Sequence, residues 1–154
     1  MRHAGPIAVI DAMIAVWKDD ATLAAAVKAH CGSDSVLRYF IGVDTQKLPS
    51  IENAPYMCLT PGDYQIQPDQ TARPRNIKLG LIITDARMDT TTALVSKMRG
   101  LVALEALVPL LDSSLDAFFN TYAAGVVDSG QITTDILFPE FRAEWSYAFT
   151  ERNT

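Results

Sequence analysis

"PEFRAEWSYAFTER", residues 139–152, is the stretch whose reading decides the fold. Every second residue gives Phe141, Ala143, Trp145, Tyr147 and Phe149, with Arg142, Glu144, Ser146, Ala148 and Thr150 between them. Successive side chains of a strand point to opposite sides of its sheet, so this is a strand with one apolar and one mostly polar face. Chain ends fray unless something ties them down. A run of rings this close to the C-terminus therefore has to be held in a sheet whose apolar side is covered.

Working back, a bend at Pro139 follows "ITTDILF", residues 132–138, a further β segment. Before it, Leu101, Leu104, Leu107, Val108, Leu111, Leu115, Phe118 and Phe119 recur at helical spacing. Pro109 removes one ladder bond from that helix and crowds the preceding turn, so a kink or break is expected there. Gly125 and Gly130 lead the chain out of the helix. "NIKLGLIITD", residues 76–85, is the strongest central strand, with Ile77, Leu79, Leu81 and Ile83 on one face. Ile82 on its other face implies that part of it is covered on both sides. Between that strand and the helix, "ARMDTTTALVSKMRG" has no single reading. Thr90 to Thr92 favour a strand or turn, while "ALVSKM" suits either state.

The front of the chain is helical. Pro6 suits a first turn, and Ile7, Ile10, Met13, Ile14 and Trp17 form one apolar stripe. Asp19 or Asp20 caps a second helix, Ala21 to His30, with Leu23, Ala26 and Val27 inward and Gly32 as its stop. "VLRYFIGV" (Val36 to Val43) and "YMCLTP" are short strands on either side of a loop that Pro49 and Pro55 keep irregular. The polar "GDYQIQPDQTARPR", residues 62–75, reads as a long hairpin arm or a partly mobile loop. The order predicts an α+β fold: a mostly antiparallel sheet with an N-terminal helix, bent or split into a pair, and one long helix packed on it. With 154 residues and neither repeat nor low-complexity tract, residues 1–154 are expected to form one domain.

Composition narrows function further. An apolar fraction of 49% with 20% charged residues is ordinary for a folded protein and excludes wholesale disorder. No apolar run approaches the roughly 18 residues of a membrane helix, and the charged "WKDD" after the N-terminal stretch lacks a signal-peptide cleavage site. A mature, cytosol-made protein without membrane attachment is expected. Net charge is −5, and the 13 basic residues are scattered, which disfavours duplex binding.

Reactive constellations are missing from the sequence. It has no GxSxG elbow, phosphate-binding glycine loop or HExxH. Asp19-Asp20 reads as helix-cap chemistry, and Glu140 and Glu144 as the polar face of a strand. Cys31 and Cys58 form no CxxC pair; a buried thiol at Cys58 and a helix-end His30 are favoured over a metal site. No enzyme activity, cofactor or metal is expected. Trp17, Leu79, Leu81, Ile83, Trp145, Tyr147 and Phe149 are the candidate core, with Trp17 packing near Trp145 and Tyr147. Arg73 and Arg75, flanking Pro74 in the polar arm at the entry to a strand, and Tyr64 and Gln67 in the same arm are candidate partner contacts.

The succession "LPSIENAPYMCLTP", "IKLGLIIT", "RGLVALEALVPLLDSSLDAFF" and "FRAEWSYAFT" behind an N-terminal helix resembles the tail terminator (tail completion) proteins of long-tailed bacteriophages. The resemblance covers nearly the whole chain in order and spacing. It implies a structural virion protein at the head–tail junction, assembled in the host cytoplasm. Such a protein caps the finished tail tube, ends its polymerisation and joins it to head–neck connector proteins. Its implied partners are further copies of itself in a hexameric ring, the tail tube protein, the connector, and genomic DNA that passes through without specific binding. The 62–75 arm would reach the tube and the first helix would form the outer wall. Three alternatives stay open: a head–tail adaptor of the same particle, a small α+β ligand-binding domain or enzyme with Trp17, Trp145 and Tyr147 around its pocket, or a dimeric scaffold protein of a bacterial host.

Overall fold

The computed structural model describes residues 6–42, 54–61, 72–122, 128–129 and 132–152. Tyr64 and Gln67 fall outside them, as does most of the 62–75 arm. The chain begins with two helices, α1 (Pro6–Lys18) and α2 (Ala21–Cys31). α1 buries Val9, Ile10, Met13, Ile14 and Trp17, whereas Ile7, expected in the stripe, is 59% exposed. α2 starts where Asp20 accepts a hydrogen bond from the backbone N–H of Leu23 at 3.0 Å. It stops at Gly32, whose φ of 129° lies where side-chain-bearing residues rarely go.

Three strands follow: β1 (Arg38–Ile41), β2 (Tyr56–Pro61) and β3 (Ala72–Thr84). β3 begins four residues earlier than the hydrophobic pattern suggested, so Arg73 and Arg75 sit in strand backbone opposite Glu151 and Phe149. The strand that they are expected to enter thus already includes them, in place of a solvated loop. Thirteen ladder pairs to the C-terminal strand override the weak strand preference of "ARPR".

The ambiguous segment is a small hairpin, β4 (Met88–Asp89) paired with β5 (Lys97–Met98). α3 (Arg99–Tyr122) then runs through Pro109 without a break. Pro109 is on the exposed side of the helix, so the Glu105 carbonyl that loses its intrahelical donor faces water. β6 (Asp128–Ser129), β7 (Thr133–Leu137) and β8 (Glu140–Arg152) complete the order.

The main sheet is ordered β1-β2-β3-β8-β6, with β7 also pairing β8. β1 and β2 are parallel and every other pairing in the sheet is antiparallel. This is an α+β fold with a mostly antiparallel sheet. The C-terminal strand β8 lies inside the sheet, with β3 along one side and β6 and β7 along the other. That is how a chain end full of aromatic rings stays ordered.

All three helices cover one face. From that side Met57, Leu59, Ile77, Leu79, Leu81, Ile83, Phe141, Ala143, Trp145 and Tyr147 point into a core shared with α1, α2 and α3. Each such aliphatic side chain contributes about 1.5–3 kcal/mol of transfer free energy. Trp17 lies in the same core, stacks on Tyr39 with centroids 5.9 Å apart, and donates from Nε1 to the Leu111 carbonyl at 3.1 Å. The Tyr147 hydroxyl donates to Asp112 on α3. The backbone of Phe149 is in β8 opposite Arg75.

The other face carries Lys78, Arg142, Glu144 and Ser146, and a second small cluster of Tyr56, Cys58 and Ile82. Phe40 packs edge-on against Tyr56 there, so β2 and β3 are buried on both sides at that point.

Candidate functional site

The helices leave one part of the sheet uncovered. β7 pairs with β8 in the register Thr133↔Glu144 to Leu137↔Glu140, and all five of its residues are exposed. Among the described residues β8 is its sole strand partner. Ile136 lies opposite Phe141 on the helix-side face, whereas Leu137 lies opposite Glu140 on the other face. "ILF" at 136–138 therefore puts apolar side chains on both sides of an edge strand. Ile132, Ile136, Leu137 and Phe138 are 44–56% exposed, within seven residues of one another along the chain. A groove of about 460 Å³ separates β7 from α3, walled by Leu101, Leu104 and Val108 on the helix and by Ile132 and Ile136 on the sheet, with Glu105 also lining it.

A polar network fixes the end of the sheet next to this edge. The backbone N–H of Asp85 donates to the Pro139 carbonyl at 2.9 Å, tying the end of β3 to the β7–β8 turn. The Asp85 carboxylate accepts from the backbone N–H, Nε and guanidinium NH2 of Arg87, each at 2.9 Å. Those Arg87 hydrogen bonds hold Asp85 below the usual carboxylate range although burial opposes them. The Arg99 N–H donates to the Arg87 carbonyl at 3.1 Å, so the base of the β4–β5 hairpin is clamped to the start of α3. Gly100 permits this close approach, since a Cβ there would collide with the Phe141 ring. Phe138 in turn packs edge-on against Phe141, with centroids 6.4 Å apart. Hairpin, helix start and turn thus form one braced corner.

A second, smaller cavity of about 250 Å³ lies between α1, α2 and β1, where Trp17, Leu23, Val27 and Tyr39 line it with Lys18 and Lys28. Trp145 and Tyr147 line neither cavity, so the two are not brought together with Trp17 around either space. Cys31, partly exposed, has its thiol pushed up to about 11 by burial and the nearby Asp85, against the effect of Arg87. It stays protonated near neutral pH and is a poor nucleophile. Cys58 is buried. Among the described residues no group of three or more His, Cys, Asp or Glu side chains could hold a metal ion, and no helix is long and apolar enough to cross a membrane.

The exposed edge was missed in the sequence because "ITTDILF" reads simply as a strand. Its signal was the run Ile136-Leu137-Phe138: three apolar residues in succession on a short strand leave one face's worth uncovered unless both faces are buried.

No family model and no curated protein matches this chain. Among solved structures, a chain from the "Virion of native gene transfer agent (GTA) particle" is similar over 92% of both chains, with a TM-score of 0.49 and 10% identity.

Proposed function

We propose that this chain, as a single domain, is a structural protein of a phage-like virion that works by assembly: a tail terminator, closing as a ring on the finished tail tube. The observation that carries the assembly reading is the β7 edge. A strand edge with no further partner among the described residues, flanked by exposed Ile132, Ile136, Leu137 and Phe138, is an aggregation liability unless another protein covers it. The resemblance in element order supports the choice of tail terminator. In this reading the ring is a hexamer, placed in the virion where tail meets head, and its neighbours are the tube protein below and the connector above. Its mildly acidic charge lets DNA pass without adhering. The protein then needs no catalytic residue, cofactor or metal. Arg73 and Arg75, at the start of β3, remain the contacts to the tube.

Tails assembled without this protein test the proposal, read by negative-stain electron microscopy. Overlong tubes are expected. Tails of normal length that lack heads would replace the terminator with an adaptor, and normal particles would remove both.

A further inference from the structure

The β4–β5 hairpin carries a second exposed apolar feature. Leu94, at its tip, is 107% exposed and the adjoining Val95 is 43% exposed. Leu94 also has φ of 63°, in the left-handed region that Gly, Asn and Asp occupy most readily. A leucine there is strained in the turn and leaves its hydrocarbon in water. Among the described residues nothing covers Leu94 to offset either cost. The braced corner fixes the base of this hairpin, through Arg87 to Asp85 and Arg99, so the tip is presented from a rigid support.

The α3–β7 groove is the complementary feature. Its walls are aliphatic, it is open, and the chain's own Leu94 does not occupy it. Charge agrees as well: Glu105 lines the groove, and Lys97 stands three residues beyond the tip leucine, both exposed. We infer that the Leu94–Val95 tip of one copy seats between α3 and β7 of a second copy, with Lys97 facing Glu105. Both halves of the contact are present on every copy, which is why a second copy is the occupant. The contact joins unlike surfaces, so it repeats from subunit to subunit, as a closing ring requires. It deepens the assembly reading above and rests on it for the ring, but the pairwise contact needs no tail.

Two variants of the full chain, Leu94→Cys and Ile136→Cys, are purified separately, mixed and oxidised at protein concentrations up to about 1 mM. A cross-linked dimer is expected in the mixture and not in either variant alone. The unsubstituted chain is the control for Cys31. A companion variant, Leu94→Gly, removes the knob and the backbone strain together. Its melting temperature should hold or rise while sedimentation shows self-association at least tenfold weaker. Absence of the mixed dimer overturns the inference; so does a Leu94→Gly chain that associates as well as the unsubstituted one. A chain that stays monomeric throughout also overturns it and assigns the groove to another occupant. Tail length reads the other proposal independently: normal tails together with a mixed cross-link would remove the terminator and leave this contact standing.

Discussion

At the scale of single residues, two positions show how the fold sets limits that sequence propensity would misjudge. Gly100 is the second residue of α3, where alanine is favoured by about 1 kcal/mol on helix propensity alone. Yet its missing side chain is the space into which the fully buried Phe141 ring fits. Gly100→Ala should therefore destabilise the protein by roughly 1–3 kcal/mol, the usual range for overpacking. A thermal melt decides it, and a more stable variant would mean the ring has room to move. Asp20 is the second position. The Ser114 hydroxyl and then the Leu23 N–H hold its carboxylate below the usual range. Because the folded-state value is depressed, the stabilisation is complete above the ordinary carboxylate range and is lost as pH falls through the folded value. Melting temperature should thus be flat near neutrality and drop below about pH 4. Asp20→Asn keeps a capping oxygen but cannot titrate, so its drop should be shallower, the remainder including Asp85 and Asp89, whose carboxylates are also held below the usual range. Identical acid profiles for the two proteins would show that Asp20 does not contribute.

At the scale of elements, α3 is the test case for Pro109. The helix is continuous because its lost hydrogen bond faces water and because Leu104, Leu107, Val108 and Leu111 are anchored in the core on both sides of the proline. Packing outweighs a local penalty of about 3 kcal/mol. Pro109→Ala restores the N–H toward the Glu105 carbonyl and should raise stability by about 1–2 kcal/mol, part of the gain being offset by a looser unfolded chain. Denaturant unfolding measures it, and a loss of stability would mean that the proline ring itself packs. The same element shows what was legible beforehand. The α3 stripe, the α1–α2 pair with its Asp20 cap and Gly32 stop, and the alternation of β8 were readable because each keeps one period over many residues. The β4–β5 hairpin was not, since its strands have two residues each and its turn bears leucine where glycine would announce a turn. Nor was the length of β3, whose "ARPR" start is held by pairing with β8. The parallel β1–β2 pairing left no trace in residue types. For the candidate site, the polar arm drew attention through composition, whereas the apolar edge on β7 became visible only when sheet order put it beside β8 with all five residues exposed.

At the scale of the whole molecule, charge and apolar surface act in opposite directions on assembly. Each copy carries a net charge of −5, so bringing copies together concentrates like charge. The surfaces proposed to meet are mainly hydrocarbon: Leu94 and Val95 against Leu101, Leu104, Val108, Ile132 and Ile136. The single Lys97–Glu105 pair is exposed and contributes at most about 1 kcal/mol, less in salt. Screening lengths shrink from about 30 Å at 0.01 M salt to about 10 Å at 0.1 M. Over that range the repulsion between whole subunits fades while burial of the aliphatic contact is little changed. Self-association should therefore strengthen as salt rises, and strengthen again in sulfate, which favours burial of apolar surface. Sedimentation across a salt series reads this directly. Association that weakens steadily with added salt would mean that ion pairs hold the copies together, and the hairpin tip would then not be the anchor.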